Sequence, residues 1–204
     1  MRAITPFSLL AGLGACALVW LAPLTKLGLP DFAIHMIRHM TLVSIAAPLL
    51  VLGTPRLCQS LPSIPLLASF AEFVIVWTWH MPGAHDLTRN SGGWLVFEQA
   101  CFLVTGLLLW ASVLDPDKAL AGAGALLLTS MHMTLLGALI ILSPRTLYSH
   151  AAHADMVHSL EAQQLGGMIM LVIGTPIYLL AGLWRIRDVL KTPLPEPSSR
   201  NSRP

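Results

Sequence analysis

Charge is what this sequence has least of. Aspartate, glutamate, lysine and arginine make up 11% of its 204 residues while 55% are hydrophobic, where a soluble domain carries roughly 25% charged residues. That balance excludes a water-soluble domain and points to a bilayer. Cysteine is almost as scarce. The three present, Cys16, Cys58 and Cys101, form no Cys-x-x-Cys pair, which argues against a thiolate copper chaperone, a thioredoxin-like redox site and covalent c-type haem attachment. Also missing are a nucleophile with its base and orienting acid, a phosphate-cradling glycine loop and a His-Glu-x-x-His run, so the chain reads as a binder and not an enzyme. The net charge of +2 places its bases at segment ends, with no patch for nucleic acid.

What is present is apolar length. Residues 7–24, 33–53, 64–81, 94–114, 119–142 and 160–184 are each near the ~20 residues needed to cross the hydrocarbon core, which predicts an all-α, polytopic membrane bundle of about six transmembrane helices in one domain, 1–191. The tail, 192–204, reads as disordered from its proline, serine and charge content. Arg2 and the run after it resemble a signal peptide, with Leu13-Gly14-Ala15-Cys16 resembling a lipoprotein cleavage box. Because apolar residues continue to Leu24, a retained first helix is expected. Small residues at Gly122-Ala123-Gly124 and Gly166-Gly167 allow helices to approach closely, and Gly166-Gly167 has a second reading as opened backbone beside a site. No internal repeat suggests an inverted-repeat transporter.

Six crossings put both termini on one side. With the ends cytoplasmic, the inner side carries Arg2, Arg56, Lys118, Arg185, Arg187, Lys191, Arg200 and Arg203, and the outer side Lys26, Arg38, Arg89 and Arg145, the arrangement that the positive-inside rule favours. The same alternation gathers the histidines. His35 and His39 open the second segment, His80 closes the third, His85 lies in what reads as a flexible Gly/Asn/Ser-rich loop, and His150, His153 and His158 precede the last segment. All seven fall on one face. His132 sits about 15 Å below it, as the floor of a site.

The stretch His35-Met36-Ile37-Arg38-His39-Met40 packs four soft-metal donors into six residues. A helix sets His35 over His39 and Met36 over Met40. Imidazole with thioether suits copper, above all Cu(I), better than the oxygen-seeking magnesium or calcium. His80, in the last turn before Pro82, either complements a negative helix end or meets His39 across two adjacent helices. Met168 and Met170 lie about 200° apart around a helix, so at most one faces a given point. Gln163 and Gln164 either hold a histidine's second nitrogen or cap the helix. Glu98 is a co-ligand, an acceptor behind a histidine, or a simple interfacial carboxylate. Glu72, in mid-segment, must be kept uncharged by a proton or paired with a neighbouring helix. The candidate ligands are therefore His35, His39, Met40, His80, His132, Met168 and Met170, supported by Glu98, Gln163 and Gln164.

Three motifs in order then carry a resemblance. His35-Met36-Ile37-Arg38-His39-Met40 with Ala47-Pro48-Leu49-Leu50 and Gly53-Thr54-Pro55, then Trp77-Thr78-Trp79-His80-Met81-Pro82, then Gln163-Gln164-Leu165-Gly166-Gly167-Met168-Ile169-Met170, resemble the integral-membrane CtaG family over about residues 33–184. The family pattern has an Asp before the Gln pair and a Trp after the last Met, where this chain has Ala162 and Leu171. The resemblance implies an assembly factor for caa-type cytochrome c oxidase that helps supply its copper. It implies a bacterial inner-membrane setting, with oxidase subunits, a periplasmic copper chaperone and membrane lipid as partners. Two rivals stand beside it: a haem-binding electron carrier using His39 with His80 or His132, and a copper or cation transporter using Glu72.

The charge count generates one test. A reporter fused after Leu190 should be active on the cytoplasmic side and one within 150–158 on the periplasmic side; the reverse pattern would contradict metal delivery at the outer face.

Overall fold

The computed structural model describes residues 4–58, 60–148 and 156–191. The tail, His150 and His153 lie outside the described residues, as does the side chain of His158. The chain is all-helical, 87% helix with no strand among the described residues. Helix α1 is Ile4–Leu21, α2 Asp31–Met40, α3 Ala47–Gly53, α4 Pro55–Cys58, α5 Pro65–Trp79, α6 Pro82–Asn90, α7 Gly92–Val113, α8 Ala119–Leu142 and α9 Met156–Lys191. A π-helical turn, Thr41–Ala46, joins α2 to α3, giving one rod from Asp31 to Gly53. Prolines open α5 and α6, where the missing N–H costs nothing.

The expected six crossings need correction. Among the described residues, four helical stretches are long and apolar enough to cross a membrane: Asp31–Gly53, Gly92–Val113, Pro116–Leu142 and Ser159–Lys191. The third apolar segment forms a shorter helix, Pro65–Trp79, while the first forms α1, Ile4–Leu21, of 18 residues. Proline sets both limits. Pro23 follows α1, and α5 is confined between Pro65 and Pro82 to 15 residues, about 22 Å against a ~30 Å core. Strict alternation across six spans therefore no longer gathers the histidines; direct contact has to do so.

Helices α8 and α9 make the most extensive pair, α2 lies on α9, and α5 packs against α7 and α8. Gly137 and Gly167 bring the backbones of α8 and α9 together: a Cβ on Gly167 would stand 3.0 Å from the Gly137 carbonyl oxygen. Around them Met40, Val43, Val76, Phe102, Leu109 and Tyr178 form the apolar core.

Within that core the π turn leaves a polar consequence. The Ala47 N–H reaches back five residues to the Leu42 carbonyl. The next group in that ladder would be the N–H of residue 48, but Pro48 has none. The Val43 carbonyl instead accepts from the Trp110 indole at 2.9 Å and lies 3.3 Å from the Tyr178 hydroxyl. Tyr178 donates to Glu72 Oε1 at 3.0 Å, which supplies the neighbouring-helix partner that a mid-segment carboxyl needs. Tyr178→Phe keeps the ring stacked on Trp110, with centroids 5.6 Å apart, and removes only the donor. It should lower the thermal unfolding midpoint in detergent, at a cost of about 1–3 kcal/mol for an unsatisfied buried group. An unchanged midpoint would mean that Glu72 has no need of this bond.

Candidate metal centre

Helix α2 and the π turn run parallel to α7 and in register with it. His35 Nε2 lies 3.3 Å from Glu98 Oε1, the His39 ring lies 4.0 Å from that of Phe102, and a Cβ on Gly106 would touch the Val43 backbone at 3.2 Å. Each pair is four residues beyond the last on both helices. This is the i, i+4 spacing that stacks side chains along one face, and it fixes two imidazoles at successive levels beside α7.

His80 and His85 close the other side. Helix α5 ends at Trp79, His80 caps it, and extended Met81 turns the chain into α6. The His80 ring faces His39 with centroids 5.4 Å apart, and the His85 ring meets His35 edge-on at 4.9 Å. Four imidazoles are thereby gathered, all 9% exposed or less, with Glu98 fully buried beside them.

Their hydrogen bonds are unevenly met. His80 Nδ1 lies 2.7 Å from the Val76 carbonyl, a bond it makes as donor, so the tautomer leaves Nε2 with its lone pair. That Nε2 is buried and has no hydrogen-bond partner, and neither nitrogen of His39 has one. An unpaired buried polar group costs about 1–3 kcal/mol, and such groups in a native fold call for an explanation, an ordered water or an ion among them. Glu98 Oε2 accepts from the Gln99 amide at 3.2 Å.

Tyr148 roofs the cluster. Its hydroxyl donates to the His80 carbonyl at 2.8 Å, its own carbonyl accepts from Arg89 at 3.1 Å, and its ring stacks on Phe32 and meets His85 edge-on. Burial pushes its phenol up to about 12, so it stays a hydroxyl donor. Burial first, then His35, His80 and Arg89, holds His85 down at about 3, which leaves its ring neutral with a lone pair to give. Gly166 makes room for this roof, since the Phe32 ring occupies the place of its absent Cβ. Of its two readings, close packing is the one observed.

The other sequence candidates fall elsewhere. Gln163 donates to the Ile140 carbonyl at 3.0 Å and accepts from the Leu147 N–H at 2.6 Å, and Gln164 reaches the Ile141 carbonyl. Both hold backbone, not imidazole. Met40 and Met170 are fully buried in the core, with the Met40 methyl against Gly174, while Met168 is 47% exposed. His132 is buried against Phe73 at 5.4 Å, with both nitrogens unpartnered; no ring contact among the described residues joins it to the other four.

His85 corrects an expectation. The turn-forming residues on both sides of it, Pro82-Gly83 and Asn90-Ser91-Gly92-Gly93, suggested a flexible loop with a bystander histidine, yet 82–90 is helical and His85 is 4% exposed. Tyr148 and Tyr178 escaped notice altogether. The available signal was scarcity: the chain has two tyrosines, and a buried Tyr ordinarily brings its hydroxyl to a partner.

A family model described as cytochrome c oxidase caa3 assembly factor (Caa3_CtaG) matches residues 5–192. No curated protein and no solved structure matches the chain.

Proposed function

Because the chain belongs to the cytochrome c oxidase caa3 assembly factor family, we propose that this membrane protein carries copper as cargo and hands it to the oxidase under assembly. The observation that supports this reading is the facing pair His39 and His80, in which both nitrogens of His39 and Nε2 of His80 are buried without a protein partner. Their chemistry suits the cargo. Imidazole binds copper, and a ligand set free of cysteine is not lost to disulfide formation in an oxidising compartment. The Val76 carbonyl fixes the His80 ring from behind, as backbone acceptors do for metal-binding histidines. Phe102 packs against the His39 ring, and Tyr148 bonds to the His80 carbonyl, so the pair is shielded from solvent.

Delivery then proceeds one ligand at a time, the incoming oxidase subunit replacing His80 or His39 as the roof is displaced. We place the protein in a bacterial inner membrane with the histidine cluster toward the periplasm, loaded by a periplasmic copper chaperone and acting by binding alone. The rival haem carrier has less support: Phe102 packs against the His39 ring at 4.0 Å, on the side from which a porphyrin would have to approach His39 beside His80, and His132 makes no ring contact with His39. The transporter reading loses its main argument, because Glu72 is engaged by Tyr178 as a tie within the core.

Deleting the protein, or making His39→Ala, should leave oxidase polypeptides in the membrane with low copper and low activity, partly restored by added copper through mass action. Full oxidase activity in a copper-poor deletion strain would remove the delivery role. Lost activity with normal oxidase copper would redirect it to haem.

A further inference from the structure

We infer that His35, His85 and Glu98 form a second metal station, adjacent to the His39–His80 pair and suited to a divalent transition ion of the Cu(II) or Zn(II) kind. One ligand atom from each of the three lies within 4.8 Å of the others, and all three residues are buried. They come from three separate elements, α2, α6 and α7, so the convergence is a product of the fold and not of sequence proximity.

The geometry is close to what an ion requires. Ligand atoms at roughly 2.0–2.2 Å from one metal are separated by about 3.4 Å in a tetrahedral site, so side-chain shifts of about 1 Å complete the contact. Charge supplies the second argument. Glu98 is fully buried, its neighbours are His35 and the Gln99 amide, and among the described residues no lysine or arginine pairs with it. A buried carboxylate without a fixed cation is costly, and a bound metal ion is the cation that this site lacks.

The donor sets separate the two stations. Two imidazoles and a carboxylate make a borderline nitrogen and oxygen set that holds divalent copper or zinc; magnesium and calcium want oxygen alone. The carboxylate offsets one of the ion's two charges. At the His39–His80 pair no carboxylate among the described residues joins the two rings, and the nitrogens left without a partner, both of His39 and Nε2 of His80, suit the singly charged Cu(I). His35 and His39 are one helical turn apart, which sets the two stations about 6 Å from each other along α2. The inference stands on this geometry whether or not the inner pair carries copper.

Electron paramagnetic resonance of the full-length protein in detergent, titrated with Cu(II) alone, tests it. The wild type should bind Cu(II) with nitrogen hyperfine structure. Glu98→Gln should weaken that binding roughly tenfold or more while Cu(I) retention persists. His80→Ala should do the opposite, losing Cu(I) and keeping the Cu(II) signal. His85→Asn provides a second route to the same loss if Glu98→Gln does not fold. Wild-type Cu(II) affinity in either folded variant would overturn the station, as would loss of the Cu(II) signal in folded His80→Ala. Retention of Cu(I) by His80→Ala would count against the delivery reading and leave this one standing.

Discussion

Three helices meet at the carbonyl oxygen of Val43 because Pro48 has no N–H to return to it. The π turn shifts the backbone ladder by one residue, so the freed acceptor takes the Trp110 indole from α7 and faces the Tyr178 hydroxyl from α9. In an apolar interior an unsatisfied carbonyl is costly, and satisfying this one sets the height of α2 against both partners. His39 stands one turn above Val43, and His35 one turn above that. Any slip at Val43 would carry both imidazoles away from Phe102 and Glu98. Single π turns inside α-helices are frequent at functional sites, and here the connection is mechanical.

Above that tie the bundle accepts a cost it does not need for folding. Four imidazoles and a carboxylate are removed from water, several of their polar atoms without partners, in a region where leucine or phenylalanine would pack without penalty. Tyr148, Phe32 and Gly166 exist in the arrangement to seal the cluster, and Gln163 holds the segment from which the roof descends. The cluster is thus closed over by hydrogen-bonded residues while both nitrogens of His39 and Nε2 of His80 stay without a protein partner.

Much of this was legible in the sequence, for definite reasons. The rod from Asp31 to Gly53 and the stacking of His35 over His39 follow from helical period, and the meeting of His39 with His80 was one of two readings of His80 that the sequence left open. Membership of the family was readable in three motifs. Crossing number was not, because apolar length overstates a helix that proline truncates, as at Pro65 and Pro82. His85 was hidden by the turn-forming residues around a short amphipathic helix, whose inward face is visible only against Phe32 and His35. Gln163 offered no way to tell a backbone acceptor from an imidazole, since an amide serves both. The π turn had one trace, a proline inside an otherwise unbroken apolar helix, and that trace alone does not choose between a kink and a shifted ladder.

The proposed delivery role requires that buried imidazoles, and not sulfur, hold the copper. Copper K-edge X-ray absorption on the purified protein loaded with Cu(I) tests it most directly. The expected result is a nearest shell of nitrogen with the outer scattering of imidazole rings, lost when His39 and His80 are both changed to alanine. A shell dominated by sulfur, or a nitrogen shell unchanged in that double variant, would contradict it.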